Sequence, residues 1–264
     1  KVFTCNLIIL LKTMKIEEKI KNEFLYDKKL NFFKFLYFNF QYLKSKFKPR
    51  VINANWGVDL IVESILKNKI KNKGVYIDVG CHHPLINNNT YLLSRKGWSG
   101  INIDLDFNAI DMFNFFRPND DNQLIALSDK KGTAKLYFFH NRAPKNTLDY
   151  RSGTGAKKIK KVETNTLNNV IQKSKLKIKE IDFLSIDVEG NELNVLKGLN
   201  FKKYRPKVIC IELIIKKNNH FYKQKIEAIQ KSMIYKFLIK KNYKFSNWIH
   251  DDLIFVSNYF IKKK

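Results

Sequence analysis

Tyr76-Ile-Asp-Val-Gly-Cys-His-His-Pro84 decides the fold. Its first residues, with Val75 before them, form a short β-branched run that stops at Gly80. By length and composition this is a parallel strand buried on both faces, and Gly80 turns the chain out of it. Downstream, residues 89–96 read as a helix closed by Gly97, and 99–104 as a second strand. Residues 109–116 read as a helix stopped before Pro118, and 123–127 as a third strand. After the Lys131-Gly132 turn, 135–139 reads as an antiparallel addition. Residues 140–161 are polar, glycine-containing and basic, and are expected to form a long loop. A helix (167–173), a fourth strand (181–186), a helix (192–199), a fifth strand (207–212) and a helix (226–240) follow. Two strands, 243–247 and 253–257, close the chain across His250-Asp251-Asp252.

Alternating strands and helices imply a parallel sheet with right-handed crossovers, and the closing pair an antiparallel edge. Upstream, 55–66 reads as a helix and Pro49 marks the entry to this unit. Residues 1–48 form a separate helical extension, dense in aromatics over 31–43 and basic after that. It is expected to pack on the domain or on a partner subunit, with an interfacial membrane helix as the alternative. Lys34, Asn39 and Gln41 interrupt it too often for a span. Residues 1–13 are expected to be a truncated or over-extended reading frame before Met14, without a signal-peptide cleavage site.

The net charge is +26, but only six of the basic residues are arginine, at 50, 95, 117, 142, 151 and 205. A phosphate-binding face recruits the arginine fork, so the lysine excess, with its accompanying Asn, Ile and Phe, reads as background composition. Nucleic acid is therefore not the expected partner. Cys5, Cys81 and Cys210 make neither a disulfide framework nor a zinc signature, which fits a reducing compartment.

Ligands of such sheets lie at the carboxyl ends of the strands. A dinucleotide needs several glycines there so that its pyrophosphate can reach backbone amides. Here Gly80 stands alone, and His82, His83 and Pro84 fill the other places. One glycine suits a phosphate-free cofactor such as S-adenosylmethionine. Asp78, Gly80, Cys81 and His82 belong to this loop, with Cys81 a small filler rather than a nucleophile. Asp104 ends the second strand, where a carboxylate can take both ribose hydroxyls; Asp106 is a nearby competitor. Ser128 and Asp129 could receive the adenine amino group. Ser185-Ile-Asp-Val-Glu-Gly190 ends the fourth strand, so Asp187 and Glu189 would flank the transferred methyl group as base or substrate holder, with His83 as a further candidate base. Glu212 ends the fifth strand on the same rim. Converging carboxylates can also chelate a divalent ion, though no metal site is assigned.

Together, Tyr76–Pro84, Asn89-Thr-Tyr-Leu-Leu93, Gly97-Trp-Ser-Gly-Ile-Asn-Ile-Asp104, Ala126-Leu-Ser-Asp129, Thr166-Leu167, and Ile181–Glu192 with Val195-Leu-Lys-Gly198 resemble the FkbM family of methyltransferases. The resemblance covers roughly residues 50–258. It implies a Rossmann-like α/β sheet of seven strands, mostly parallel with an antiparallel C-terminal edge hairpin, and S-adenosylmethionine as methyl donor. It places Asp78, Gly80, Asn89, Thr90 and Asp104 with the cofactor and Asp187 to Gly190 at the active-site rim. Asn55-Trp-Gly-Val-Asp59 is similar to a family segment reading S-Q-x-G-E-D, with Ala54, Asn55 and Val58 in place of its Ser, Gln and Glu.

The expected function is O-methylation of a sugar, glycan or related metabolite. An RNA methyltransferase and a non-catalytic membrane-associated module are the alternatives. The fourth strand ends in Asp-Val-Glu-Gly, not the Asn/Asp-Pro-Pro-Tyr used on base amines. The expected location is the cytoplasm, with peripheral attachment to the inner membrane surface through residues 31–48 open.

Overall fold

A computed structural model describes residues 31–47, 53–67, 73–139, 146–150, 152–213 and 226–262. The chain forms two compact units, residues 1–51 and 52–264. The first is described through α1 (Asn31–Phe47). Lys34, Tyr37, Phe38 and Gln41 are buried at the i, i+3, i+4, i+7 spacing of one helical stripe, while Phe35, Leu36 and Leu43 are exposed. No helix among the described residues is long and apolar enough to cross a membrane. The part of the expected helical extension before residue 31, the segment 1–13 included, lies outside the described residues.

The second unit runs α2 (Val58–Leu66), β1 (Val75–Val79), α3 (Tyr91–Arg95), β2 (Ser99–Asp104), α4 (Phe107–Phe116), β3 (Asp121–Leu124), β4 (Ala126–Leu127), β5 (Gly132–Phe138), β6 (Lys158–Asn165) and α5 (Leu167–Lys173). It continues with β7 (Phe183–Ile186), α6 (Glu192–Lys197), β8 (Val208–Glu212), α7 (Ile226–Lys231), α8 (Met233–Lys240), β9 (Tyr243–Ile249), β10 (Asp252–Ser257) and α9 (Asn258–Ile261). Seven strands make one sheet in the order β3-β2-β1-β7-β8-β10-β9. The first five of that order are parallel, and β10 runs antiparallel to both β8 and β9.

Strand alternation builds a core on each face of the sheet. Ile77, Val79, Ile101, Ile103, Leu184, Ile186, Ile209 and Ile211 fill one side. Tyr76, Phe183, Val208 and Cys210 face the other, against Val58, Val62 and Leu66 of α2. Buried Asp120 ties β1 to β2, taking the Tyr76 hydroxyl at 2.5 Å and the Gly100 amide at 2.9 Å.

Four expectations change. The third strand divides: β3 stays in the large sheet, whereas β4 pairs with β6 in a separate three-stranded sheet with β5. The apolar run 124–127 gives no sign of where the chain leaves the first sheet. The expected loop 140–161 gives way to β6 at its end. Lys158, Ile159, Lys160 and Lys161 are all exposed, so this ribbon has no buried face to print an alternation there and is held by its ladder to β5. The helix expected over 226–240 breaks at Ser232, whose hydroxyl accepts from the Tyr235 amide to cap α8. The helix expected from 55 starts at Val58, because Gly57 is left-handed at φ +79°.

Candidate active site

The carboxyl ends of β1, β2, β7 and β8 meet at one rim. Gly80 is where two of its loops touch. At φ +77°, its amide donates to Ile103 O at 2.8 Å, and a Cβ there would fall 1.7 Å from Asp187 O. No side chain fits, so the turn after β1 lies directly on the backbone leaving β7.

The β1 loop is fixed from inside. Asp78, buried, accepts from Asn88 Nδ2 at 2.8 Å, and the Thr90 hydroxyl lies 2.9 Å from the same oxygen. Buried Arg117 donates to the Thr90 hydroxyl (2.8 Å), Asn88 Oδ1 (2.7 Å) and Pro84 O (2.5 Å). Its guanidinium also lies over the Phe113 and Tyr91 rings. Burial raises the Asp78 carboxyl above its ordinary range, and the Arg117 charge opposes this. Asp78 and Thr90, expected at the cofactor, lie buried beneath the loop after β1. Asn88 and Arg117 were missed by sequence reasoning, yet a lone arginine just before Pro118 in so lysine-rich a chain was a usable signal. Thr90→Val, which leaves Arg117 and Asp78 short of a partner in a fully buried place, is expected to cost about 1–3 kcal/mol in urea unfolding. An unchanged midpoint would contradict the hub.

The other loop residues separate by what they touch. Asn89 donates to Ser185 Oγ at 3.1 Å, bridging the β1 loop to β7. Exposed His82, at φ +50°, donates its amide to Asp104 Oδ2 at 2.9 Å, and Asp104 Oδ1 takes the Asp106 amide at 2.8 Å. The Asp104 carboxylate is thus held half-buried at the end of β2, its pKa raised by burial against those two amides. Asp106 caps α4 through the Asn108 amide and drops out as a competitor. Cys81 is buried against Ile110 and Phe113, and burial pushes its thiol well up, away from nucleophilic use. His83 Nδ1 accepts from the Leu85 and Ile86 amides, both at 3.1 Å. That nitrogen, the only lone pair of a neutral Nε2–H imidazole, thus caps a turn through two amides. Ser128 donates its amide to Asn165 O at 2.9 Å and its hydroxyl to Asp129 Oδ1 at 3.2 Å, and Asn191 Nδ2 reaches Leu127 O at 2.9 Å.

The rim beyond β7 is a built turn. Buried Glu192 accepts the Val188 and Gly190 amides at 3.1 and 2.8 Å, and forces Glu189 (φ +58°) and Gly190 (φ +107°) left-handed. The loop 146–150 and 152–153 lies against it: the Thr147 hydroxyl donates to Glu189 O at 2.7 Å, and a Cβ on Gly190 would meet Ser152 Oγ at 2.7 Å. One carboxylate oxygen from each of Asp187, Glu189 and Glu212 lies within 4.8 Å of the others. Asp252 pairs with Glu212 across β8 and β10. Asp187 stays exposed at the rim, yet partial desolvation by the surrounding protein, then the charges of Glu189, Asp252 and Glu192, raises it to about 8. Burial and the Asp187 charge raise Glu212 as well. Carboxylates this crowded share protons near neutrality, or can hold a cation.

The sign of the pH effect follows. The folded rim keeps protons that ordinary carboxylates in the unfolded chain release above about 4, so the wild-type fold loses stability as pH rises toward 8. Glu212→Gln carries no ionisable group to repel. Its melting temperature relative to wild type is expected to rise steadily from pH 4 to pH 8, and a difference flat in pH would contradict the crowding.

A sheet of this order, with a single-glycine turn after the first strand, a carboxylate ending the second and a carboxylate rim after the next two, defines a Rossmann-like methyltransferase fold. The methyltransferase FkbM domain matches residues 78–245, and the chain belongs to that family. No curated protein matches the sequence. Among solved structures it is similar to monomeric WbdD, at 14% identity and a TM-score of 0.41, over 76% of this chain and 40% of that one. The chain thus spans less than half the length of that structure.

Proposed function

We propose that residues 49–264 form an S-adenosylmethionine-dependent O-methyltransferase acting on a hydroxyl of a sugar, glycan or related metabolite. The observation that carries the reading is the convergence of Asp187, Glu189 and Glu212 beside the Gly80 turn. When bound, S-adenosylmethionine supplies an electrophilic methyl group on a sulfonium. The donor set suits it: the Asp104 carboxylate is fixed for ribose hydroxyls, Ser128 stands after β4 for the base, and the single glycine leaves no amide cradle for a pyrophosphate. Gly80, Cys81, His82 and Asn89 line that site through the loop that Asp78, Thr90 and Arg117 hold rigid.

Either Asp187 or Glu189 takes the proton of the acceptor hydroxyl, and the other holds the substrate at the rim. A carboxylate raised toward neutrality is the stronger base once ionised, so turnover climbs as the rim loses its last proton. The turn carrying Glu189 is fixed by Glu192 in advance, so little reorganisation is needed. The reading requires no divalent cation.

The test is methyl transfer from tritium-labelled S-adenosylmethionine to a panel of glycosides and to total cellular RNA, using the full chain. Label in saccharide supports the reading. Label confined to RNA would replace it with the nucleic-acid alternative.

A further inference from the structure

Trp56 is the most exposed of the three tryptophans, at 53%, while Trp98 is buried and Trp248 half-buried. Trp56 lies flat on His250, with ring centroids 4.4 Å apart and planes 8° apart. The stack covers one face of the indole and leaves the other outward.

Both rings are built in. On the Trp56 side, fully buried Asp59 accepts the Asn53 amide at 2.8 Å and the Leu60 amide at 3.0 Å, around left-handed Gly57. Asn53 O then accepts the amide of Asn88, the residue that ties Asp78. On the other side, His250 is held at φ +53° by Trp248 Nε1 on its carbonyl at 2.6 Å and by Asp251 on its Nδ1 at 2.9 Å. Asp251 O takes the amide of Leu213, next to Glu212, at 2.8 Å. The stack therefore bridges the cofactor loop and the end of β8 that carries the rim.

We propose that the outward face of Trp56 is the platform on which the acceptor's sugar ring lies, a specificity-determining contact that rests on the saccharide reading above. One face of a pyranose carries its axial C–H groups, apolar and slightly positive, and the face of an indole is negative. A ring seated this way keeps its hydroxyls at the edge, free for polar groups of the site. His250 backs the platform, so its orientation survives without the ligand and costs no ordering on binding.

The experiment is saturation-transfer NMR on the full chain, saturated with S-adenosylhomocysteine. The probes are methyl α-D-mannopyranoside, methyl β-D-glucopyranoside and methyl α-L-rhamnopyranoside, on wild type, Trp56→Ala and Trp56→Phe. The expected result is binding of at least one glycoside to wild type, weakened on the order of tenfold by Trp56→Ala and largely kept by Trp56→Phe. Affinity for S-adenosylhomocysteine should be the same in all three, which also shows that the variants fold. Equal glycoside binding by wild type and Trp56→Ala overturns the platform and leaves the function standing. A wild type that binds S-adenosylhomocysteine but none of the glycosides overturns the saccharide acceptor and the platform with it.

Discussion

Gly80→Ala is expected to leave the second unit largely unfolded. The added methyl would stand 1.7 Å from Asp187 O, and the next atom it would meet is the Asp187 carbonyl carbon at 2.8 Å. Both are backbone, so no side chain can swing away. The two loops would have to part, taking with them the pairing of the Asp187 amide with Val79 O. The left-handed φ adds about 1–2 kcal/mol for any L side chain. With the clash, the loss should exceed about 4 kcal/mol, most of the 5–15 kcal/mol that holds a typical domain. Gly97→Ala is the control: its φ is +82°, but nothing stands within 4 Å of its added methyl. It should lose only the backbone cost, about 1–2 kcal/mol. Urea unfolding of the pair checks this, and equal midpoints would mean that the loops do not touch as described.

Asp187→Asn with Glu189→Gln should abolish the chemistry while sparing the fold. Removing the proton acceptor from the rim is expected to lower the methyl-transfer rate by about 10²–10⁴. The replacements keep the volumes, and they remove charges that repel one another and Glu212. Stability at pH 8 should therefore hold or rise, and binding of S-adenosylhomocysteine should persist. Those readouts separate a lost base from a lost structure. Transfer near the wild-type rate in the double variant would remove these residues from catalysis.

The parts of the fold that were legible are those buried on both sides of the sheet. Residues 75–79 and 99–104 are buried along almost their whole length because the sheet has no wet face there, and their limits match β1 and β2. The β5–β6 ribbon was illegible for the opposite reason: exposed lysines on β6 hide a strand whose stability lies in backbone pairing. The rim of Asp187, Glu189 and Glu212 could be read because strand ends collect acidic residues at the ligand side of such sheets. The inner support could not. Asp78 and Thr90 look like ligands in sequence; in the fold they lie buried against each other, with Asn88 on Asp78 and Arg117, 27 residues beyond Thr90, on the Thr90 hydroxyl. His83 looks like a base in sequence, and in the fold its Nδ1 accepts from two amides. The Arg117 contacts, made 27 and 29 residues away in sequence, leave no local pattern.

The central claim is that the single-glycine loop holds S-adenosylmethionine. Isothermal titration of the full chain with S-adenosylhomocysteine, and separately with NAD, tests it most directly. The account expects saturable heat at one site for S-adenosylhomocysteine and none for NAD. Silence with S-adenosylhomocysteine at high micromolar concentration, or binding of NAD in its place, would contradict it.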